Sequence, residues 1–148
     1  MERSEQAGLN CIRAAEYGPF AGELQHIFLA GDLAQPCPHP FFRDERLEIL
    51  VCEYEAGENG CFHWHSGITE YEFVMEGSLA YQDAATGRVG RFRAGDLVMV
   101  PAGVCVRRLM DEPCRTLAIK VPSDHGKIQC RQCPRDCCQR QQEFGAIE

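Results

Sequence analysis

The chain has 148 residues, of which 45% are hydrophobic and 25% charged, and its formal net charge is −7. This length suits one domain with one core, and the balance is typical of a folded globular protein. The negative charge argues against nucleic acid as the main partner, because acidic surfaces repel phosphate. No stretch approaches the roughly 20 apolar residues that span a bilayer, and no apolar leader follows the polar first residues. We therefore expect a cytoplasmic protein with no membrane partner.

Residues 1–45 form an irregular N-terminal segment that is rich in turn-forming glycine and proline. A short strand is expected around Gln25 to Leu29 within it. Because the bare edge of a sheet invites aggregation, we expect this segment to cover a barrel or to pair with its edge.

Residues 46–122 have the texture of an all-β barrel, with short β-rich runs and turn signals roughly 8 to 12 residues apart. Turns are expected between all of these runs, including one at Glu76-Gly77. The predicted strands are Leu47–Glu55, Cys61–His65, Glu70–Met75, Ser78–Gln82, Val89–Phe92, Leu97–Val100, Val104–Leu109 and Arg115–Val121.

The first cluster of chemically active residues lies on two of these strands. Side chains alternate across a strand, so His63 and His65 share one face while Trp64 points to the other. Glu70 begins the next strand after a short turn and can bring a carboxylate to the same point. Two imidazoles and one carboxylate suit Fe(II), Zn, Ni, Mn or Co, so the sequence predicts a divalent metal site.

The spacing of these residues resembles the first motif of the cupins, His-x-His, four residues, Glu, six residues, Gly. Residues 95–103 resemble the start of the second cupin motif, Gly, five residues, Pro, any residue, Gly, and 17 residues separate the two motifs. The resemblance implies a jelly-roll barrel, or double-stranded β-helix, that holds a metal on His63, His65 and Glu70.

One position departs from the family pattern. Cupins normally carry a metal-binding histidine three residues after the last glycine of the second motif, and this chain has Val106 there. Cys105 is adjacent, although strand alternation aims it away from the interior unless a bulge intervenes. His26, His39, a solvent atom or a substrate atom are the other candidates for the missing ligand.

The same alternation brings two further charged residues into the barrel. If Glu70 faces inward, Glu72 does so too, and if position 106 faces inward, so does Arg108. They either pair with each other, since an unpaired buried charge is costly, or serve a reaction. In the second case Arg108 holds a substrate carboxylate or phosphate, and Glu72 acts as the general base.

Residues 123–148 form a separate cysteine-rich tail. Cys130, Cys133, Cys137 and Cys138 fall within nine residues, and His125 is nearby. Four such ligands suit structural zinc, whereas the spacing does not match the common ferredoxin run. Redox chemistry and inert thiols are the alternatives.

Two functions remain open from the sequence. The chain is either a metal-dependent enzyme on a small polar or anionic molecule, of dioxygenase, isomerase or lyase type, or a non-catalytic ligand-, metal- or redox-sensing module. Aromatic side chains opposite the metal face are expected to need cover by a partner chain or the N-terminal segment, which favours a homodimer. These aromatics are Phe62, Trp64, Tyr71 and Phe73.

Overall fold

The structure, a computed structural model, describes residues 1–3, 8–34, 36–123 and 127–129. Strands dominate the described chain, so the all-β prediction is confirmed. The eleven strands of this part of the chain are β1 (Glu2–Arg3), β2 (His26–Ala30), β3 (Phe41–Phe42), β4 (Glu48–Tyr54), β5 (His63–His65), β6 (Thr69–Asp83), β7 (Val89–Arg93), β8 (Leu97–Val100), β9 (Val106–Leu109), β10 (Cys114–Val121) and β11 (Lys127–Gln129).

The long strand β6 organises the barrel, because its two halves pair with different neighbours. Its first half runs antiparallel to β10 and β8, and its second half runs antiparallel to β7 and β9. The change of neighbours occurs at Gly77, whose φ is +74°. A Cβ atom there would lie 2.0 Å from the carbonyl oxygen of Pro113, so glycine is required at this bend. The expected turn at Glu76-Gly77 is therefore wrong: the chain bends but continues as one strand.

The N-terminal segment extends the sheet. β2 runs antiparallel to β4, β3 pairs with β2, and β1 pairs with β3, so the pairing order at this edge is β1-β3-β2-β4-β10-β6. The strand expected around Gln25 to Leu29 is observed as β2, one residue later. Between β1 and β2 lie a single helical turn, α1 (Ala14–Tyr17), and a short 3₁₀-helix (Gly18–Phe20), neither long enough to give a periodic signal in the sequence.

Two clusters of buried apolar residues form inside the sheet. The larger one is built from inward positions of four strands, β4, β6, β9 and β10, and from the residue after β9: Leu50, Cys52, Tyr54, Val74, Leu79, Tyr81, Val106, Met110, Cys114 and Ala118. The smaller one contains Phe62, Ala84 and Cys105, with Trp64 packed against it.

The smaller cluster corrects one prediction. Phe62 and Trp64 do lie opposite the histidines of β5, but Phe62 is fully buried by residues of its own barrel rather than by a partner chain. Tyr71 and Phe73, by contrast, face outward beside β8, with Met99 and Leu97 as their neighbours in register. Phe73, Leu97 and Met99 are all exposed. The predicted aromatic surface is therefore open to solvent at Phe73 of β6.

The start of the tail is not separate from the barrel. β11 runs antiparallel to β5, with Lys127 opposite His65 and Gln129 opposite His63. This pairing was not predicted, because three residues are too few to stand out beside a cysteine-rich run. No helix in the described part of the chain has the length and apolar character that crossing a membrane requires.

Candidate functional site

β5 and the start of β6 carry the three predicted metal ligands. His63, His65 and Glu70 are all buried, and the two imidazole rings stand edge to face with centroids 5.6 Å apart. His65 Nε2 lies 3.7 Å from Glu70 Oε2. His63 Nδ1 donates a hydrogen bond of 3.1 Å to the carbonyl oxygen of Cys61, which fixes the ring and places the lone pair of the neutral imidazole on Nε2. Such an outer hydrogen bond commonly orients a metal-binding histidine.

The types of donor atom suit a divalent metal, but the three side chains do not surround a common position for an ion. Two imidazole nitrogens and a carboxylate oxygen suit first-row divalent ions. No group of three His, Cys, Asp or Glu side chains in the described ranges already converges on an ion-sized position. The three side chains would therefore have to move for an ion to bind, and metal occupancy stays a prediction.

The structure also locates the candidates for the missing fourth ligand. Val106 pairs with His63 across the sheet and packs in the larger apolar cluster, as alternation requires. Cys105 belongs to the smaller cluster with Phe62, so no bulge turns it toward the histidines. His26 Nε2 lies 3.3 Å from the hydroxyl of Tyr54.

The last of these candidates is His39, which lies in the N-terminal segment. It is buried against Phe20 and contacts Cys37, both within the N-terminal segment. These contacts tie His39 to the N-terminal segment rather than to β5.

A second polar cluster lies next to the three ligands. Glu72 is 1% exposed and accepts hydrogen bonds at both oxygens. The hydroxyl of Tyr81 donates to Oε2, and Thr116 Oγ1 donates to Oε1 over 2.7 Å. Arg108 Nη2 lies 3.4 Å from Oε2 and donates to the Tyr81 hydroxyl over 2.9 Å. The inward direction predicted for Glu72 and Arg108 is observed, and so is the pairing between them.

Arg108 is held between aromatic rings. Its guanidinium carbon lies 4.3 Å from the centre of the Tyr54 ring and 5.3 Å from that of Tyr81. Burial alone would lower the pKa of Arg108. The surrounding Tyr81, Glu72, Tyr54 and Glu70 outweigh this effect, so the pKa lies well above its ordinary value. The side chain is 15% exposed, and its buried Nε has no hydrogen-bond partner in the described part of the chain.

Tyr81 is protonated in this setting. Burial raises its pKa well above the ordinary value, and the nearby carboxylates Glu72 and Glu70 add to the rise, whereas Arg108 opposes it. Its hydroxyl therefore remains a hydrogen-bond donor at neutral pH. Because Glu70 influences both Tyr81 and Arg108, the metal-ligand group and the polar cluster are electrostatic neighbours.

Tyr54, Tyr81 and Thr116 belong to this site and were not found from the cupin motifs. They come from β4, the second half of β6 and β10, which meet only when the barrel closes. A signal was present: Tyr54 has the same parity as the buried Cys52, and Thr116 has the same parity as the buried Ala118. Applying strand alternation to β4 and β10 would have identified both.

The predicted tail site lies outside the described residues. Cys130, Cys133, Cys137, Cys138 and His125 all belong to that part of the chain, so zinc, redox chemistry and inert thiols remain alternatives there.

Comparisons with known proteins bear on the fold. No protein-family model matches the chain, and a comparison with curated protein sequences finds no match. An uncharacterised protein with a double-stranded β-helix domain from Klebsiella pneumoniae is 19% identical, with 58% of this chain and 76% of that chain covered and a TM-score of 0.54. KdgF from Halomonas sp. is 18% identical, covering 55% and 74%, with a TM-score of 0.51.

A third structure covers more of this chain. The DMSP lyase DddQ from Ruegeria pomeroyi is 20% identical over 74% of this chain, with a TM-score of 0.59. This chain spans only 53% of that lyase. At these identities the likenesses concern the fold and carry no activity with them.

Proposed function

Because this chain has the cupin fold, a double-stranded β-helix, we propose that it binds a divalent metal through His63, His65 and Glu70. We further propose that it is a metal-dependent enzyme acting on a small polar or anionic molecule, in a reaction of the dioxygenase, isomerase or lyase type. Iron, zinc, nickel and manganese all suit the donor set. A bound ion would supply Lewis-acid or redox chemistry at an open position.

One observation carries this proposal: the barrel interior holds a concentration of ionisable groups that packing alone does not require. Five buried or mostly buried side chains carry or can carry charge there, on only three strands: His63, His65, Glu70, Glu72 and Arg108. Apolar side chains of similar volume would usually stabilise such an interior at least as well. A cluster of buried ionisable groups in a barrel interior favours a functional site over a structural one.

The polar cluster suggests how the chain would treat a substrate. Arg108 Nε is a buried donor that an anionic group of a ligand can satisfy, and the guanidinium remains charged at all relevant pH values. The Tyr81 hydroxyl donates its one proton in the hydrogen bond to Glu72 and accepts a hydrogen bond from Arg108, so it would hold the guanidinium toward the substrate. Glu72, whose two oxygens already accept bonds from Tyr81 and Thr116, would act through Tyr81 and position it, rather than meet the substrate itself.

Elemental analysis of protein purified without added metal tests the metal site. The background variant carries serine in place of the four tail cysteines, so that thiolate-bound ions do not contribute. Replacing His63 and His65 together by alanine should remove about one metal equivalent per chain. His26→Ala is the matched control, because His26 contacts Tyr54, and it should keep the ion. Unchanged metal content in a folded double variant would refute the site.

A binding module without catalysis is the second candidate, and the pairing of Glu72 with Arg108 favours it. The two charges lie 3.4 Å apart and already offset each other, which is what a purely structural pair does. Cobalt-substituted protein titrated with azide separates the two cases. An enzyme with an open coordination position should change its visible spectrum on anion binding, whereas a closed ion should not respond.

We also propose that the chain forms homodimers in the cytoplasm through its outward apolar face, defined as Tyr71 and Phe73 of β6 with Leu97 and Met99 of β8. Leu97 is 61% exposed and Met99 is 51% exposed, and the four side chains lie side by side in register. A second copy of the chain would cover this face with apolar contacts of the same kind.

A further inference from the structure

A lysine that the cupin motifs do not include lies on the inward face of the barrel, in the same row as Glu70. Lys120 of β10 follows Thr116 and Ala118 at every second position, and both of these are buried. Strand alternation therefore directs Lys120 to the interior as well. Lys120 pairs in register with Glu48 of β4 on one side and with Glu70 of β6 on the other. A cation thus lies in the row of the barrel that holds the predicted ligand carboxylate.

The ammonium group of Lys120 has hydrogen-bonding capacity that the described part of the chain leaves unused. Its Nζ lies 3.8 Å from Glu48 Oε2, which is an ion pair without a hydrogen bond. An ammonium has three N–H donors, and none of these donates a hydrogen bond to a described residue. The side chain is 17% exposed, so it is mostly buried but still reaches solvent. An anionic group of a ligand would accept these hydrogen bonds.

Arg108 provides a second cation at a different level of the barrel. Its Nη2 lies 3.4 Å from Glu72, which is two residues beyond Glu70 on β6 and therefore about 7 Å further along the strand. Arg108 Nε is buried without a hydrogen-bond partner among the described residues, and the side chain is 15% exposed. The interior therefore presents two cations with unused donors, on β9 and β10, one row apart.

The charges of the interior indicate how many anionic groups a ligand would carry. Among the buried or mostly buried inward residues of these rows, the carboxylates outnumber the cations by one: Glu48, Glu70 and Glu72 against Lys120 and Arg108. A divalent ion and a doubly charged ligand offset each other, so binding both leaves this balance unchanged. A ligand with one charge would offset only half the charge of the ion.

We infer that the ligand of this site is a small dicarboxylate, with one carboxylate held by Lys120 and the other by Arg108. The inference rests on the proposed function, because the ion at His63, His65 and Glu70 supplies the positive charge that admits a dianion to an interior with an excess of acid. Lys120 is then a specificity-determining residue, since a ligand with a single carboxylate uses only one of the two cations.

Calorimetric titration of the metal-loaded protein tests the inference, with succinate, glutarate and adipate compared with butyrate, which has one carboxylate. At least one dicarboxylate should bind about tenfold or more tightly than butyrate, as a charged hydrogen bond implies. Glu48→Gln combined with Lys120→Met removes both members of the ion pair, leaves neither charge unpaired, and should abolish this preference. Glu48→Gln alone is the matched control: it keeps Lys120 and should keep the preference.

Failure of the inference is distinguishable from failure of the metal site. Protein that holds no metal in elemental analysis would overturn both, whereas metal-loaded protein that binds none of the three dicarboxylates more tightly than butyrate would overturn only the inference. A preference that persists in the double variant would also overturn it, because Lys120 would then play no part.

Discussion

The start of β6, residues 69–73, reverses the usual distribution of polarity in a half-buried strand. Its inner face carries the buried Glu70 and Glu72, whereas its outer face carries Tyr71 and the exposed Phe73. In an ordinary sheet with one solvated face, the apolar residues point to the core and the polar ones to water. Here the carboxylates are inside and the aromatics outside.

Because of this reversal, the residues that stabilise the barrel differ from the residues of the proposed site. Apolar stabilisation comes from neighbouring strands and from Val74, Leu79 and Tyr81 of β6, whereas Glu70 and Glu72 place charge in the interior at a cost in desolvation. We therefore propose that the inner face binds a ligand and that the outer face associates with another chain. Each of the following experiments tests one side of that contrast.

Removing one charge of the interior pair should have the largest effect on stability. Arg108→Met leaves Glu72 buried with only its hydroxyl donors, and we expect a loss of about 3–5 kcal/mol in the free energy of unfolding. Urea denaturation followed by circular dichroism measures it.

The double variant Glu72→Gln with Arg108→Met is the control, because it removes both charges. It should recover part of the lost stability, as double-mutant cycles for coupled pairs do. Additive losses from the two substitutions would mean that the residues are not a coupled pair.

A comparison of two phenylalanines tests which aromatic surfaces the chain covers by itself. Phe62 is fully buried in the smaller cluster, so Phe62→Ala should cost about 3 kcal/mol. Phe73→Ala should change the stability of a monomer by no more than about 0.5 kcal/mol, because the ring already meets solvent. Similar losses for both variants at a concentration where the protein is monomeric would contradict the assignment of faces.

Charging the outer face should break the proposed dimer. Leu97→Lys together with Met99→Lys places two like charges on each copy at the contact, so the dissociation constant should rise at least about tenfold. Sedimentation velocity over a dilution series measures it, and Val89→Lys on β7, also exposed, is the matched control. If wild type is already monomeric at micromolar concentration, no dimer forms on this face.

A smaller effect is expected from a buried thiol beside the polar cluster. Burial, and then the charge of Glu72, raises the pKa of Cys52 from 9.0 to about 11. Since its folded pKa is the higher one, its contribution to stability is complete below about pH 9 and is lost as the pH rises toward 11. Between pH 8 and pH 10 the wild type should lose about 1 kcal/mol more than Cys52→Ala. Equal losses in urea unfolding would show that this thiol does not titrate differently on folding.

The part of the site that sequence could predict lies on β5 and at the start of β6, close together in the chain. Alternation directs His63 and His65 to one face, and the resemblance to the first cupin motif adds Glu70 from the next strand. Glu72 and Arg108 followed from the same rule applied to neighbouring positions. Their mutual pairing was one of two open outcomes, because strand parity fixes direction but not the partner across the barrel.

The remaining features depend on closure of the barrel and on local geometry. Tyr81 meets Arg108 as its partner in register between β6 and β9, whereas Tyr54 contacts Arg108 from β4. Glu76-Gly77 has the composition of a turn, yet the close approach of Pro113 makes Gly77 a bend within one strand. The pairing of β11 with β5 also followed from no local signal. Deleting residues 126–148 would therefore remove β11, the strand that pairs with β5 and with its two histidines. Cysteine-to-serine variants are the cleaner test of the tail, because they leave this pairing in place.

The central claim is that the inner face of β5 and β6 holds a divalent ion. Anomalous diffraction from crystals of the protein, recorded on both sides of the absorption edge of the metal found by elemental analysis, tests this directly. A peak within bonding distance of His63 Nε2, a nitrogen of His65 and a carboxylate oxygen of Glu70 is the predicted result. Metal peaks elsewhere in the molecule, with none among these three side chains, would contradict it.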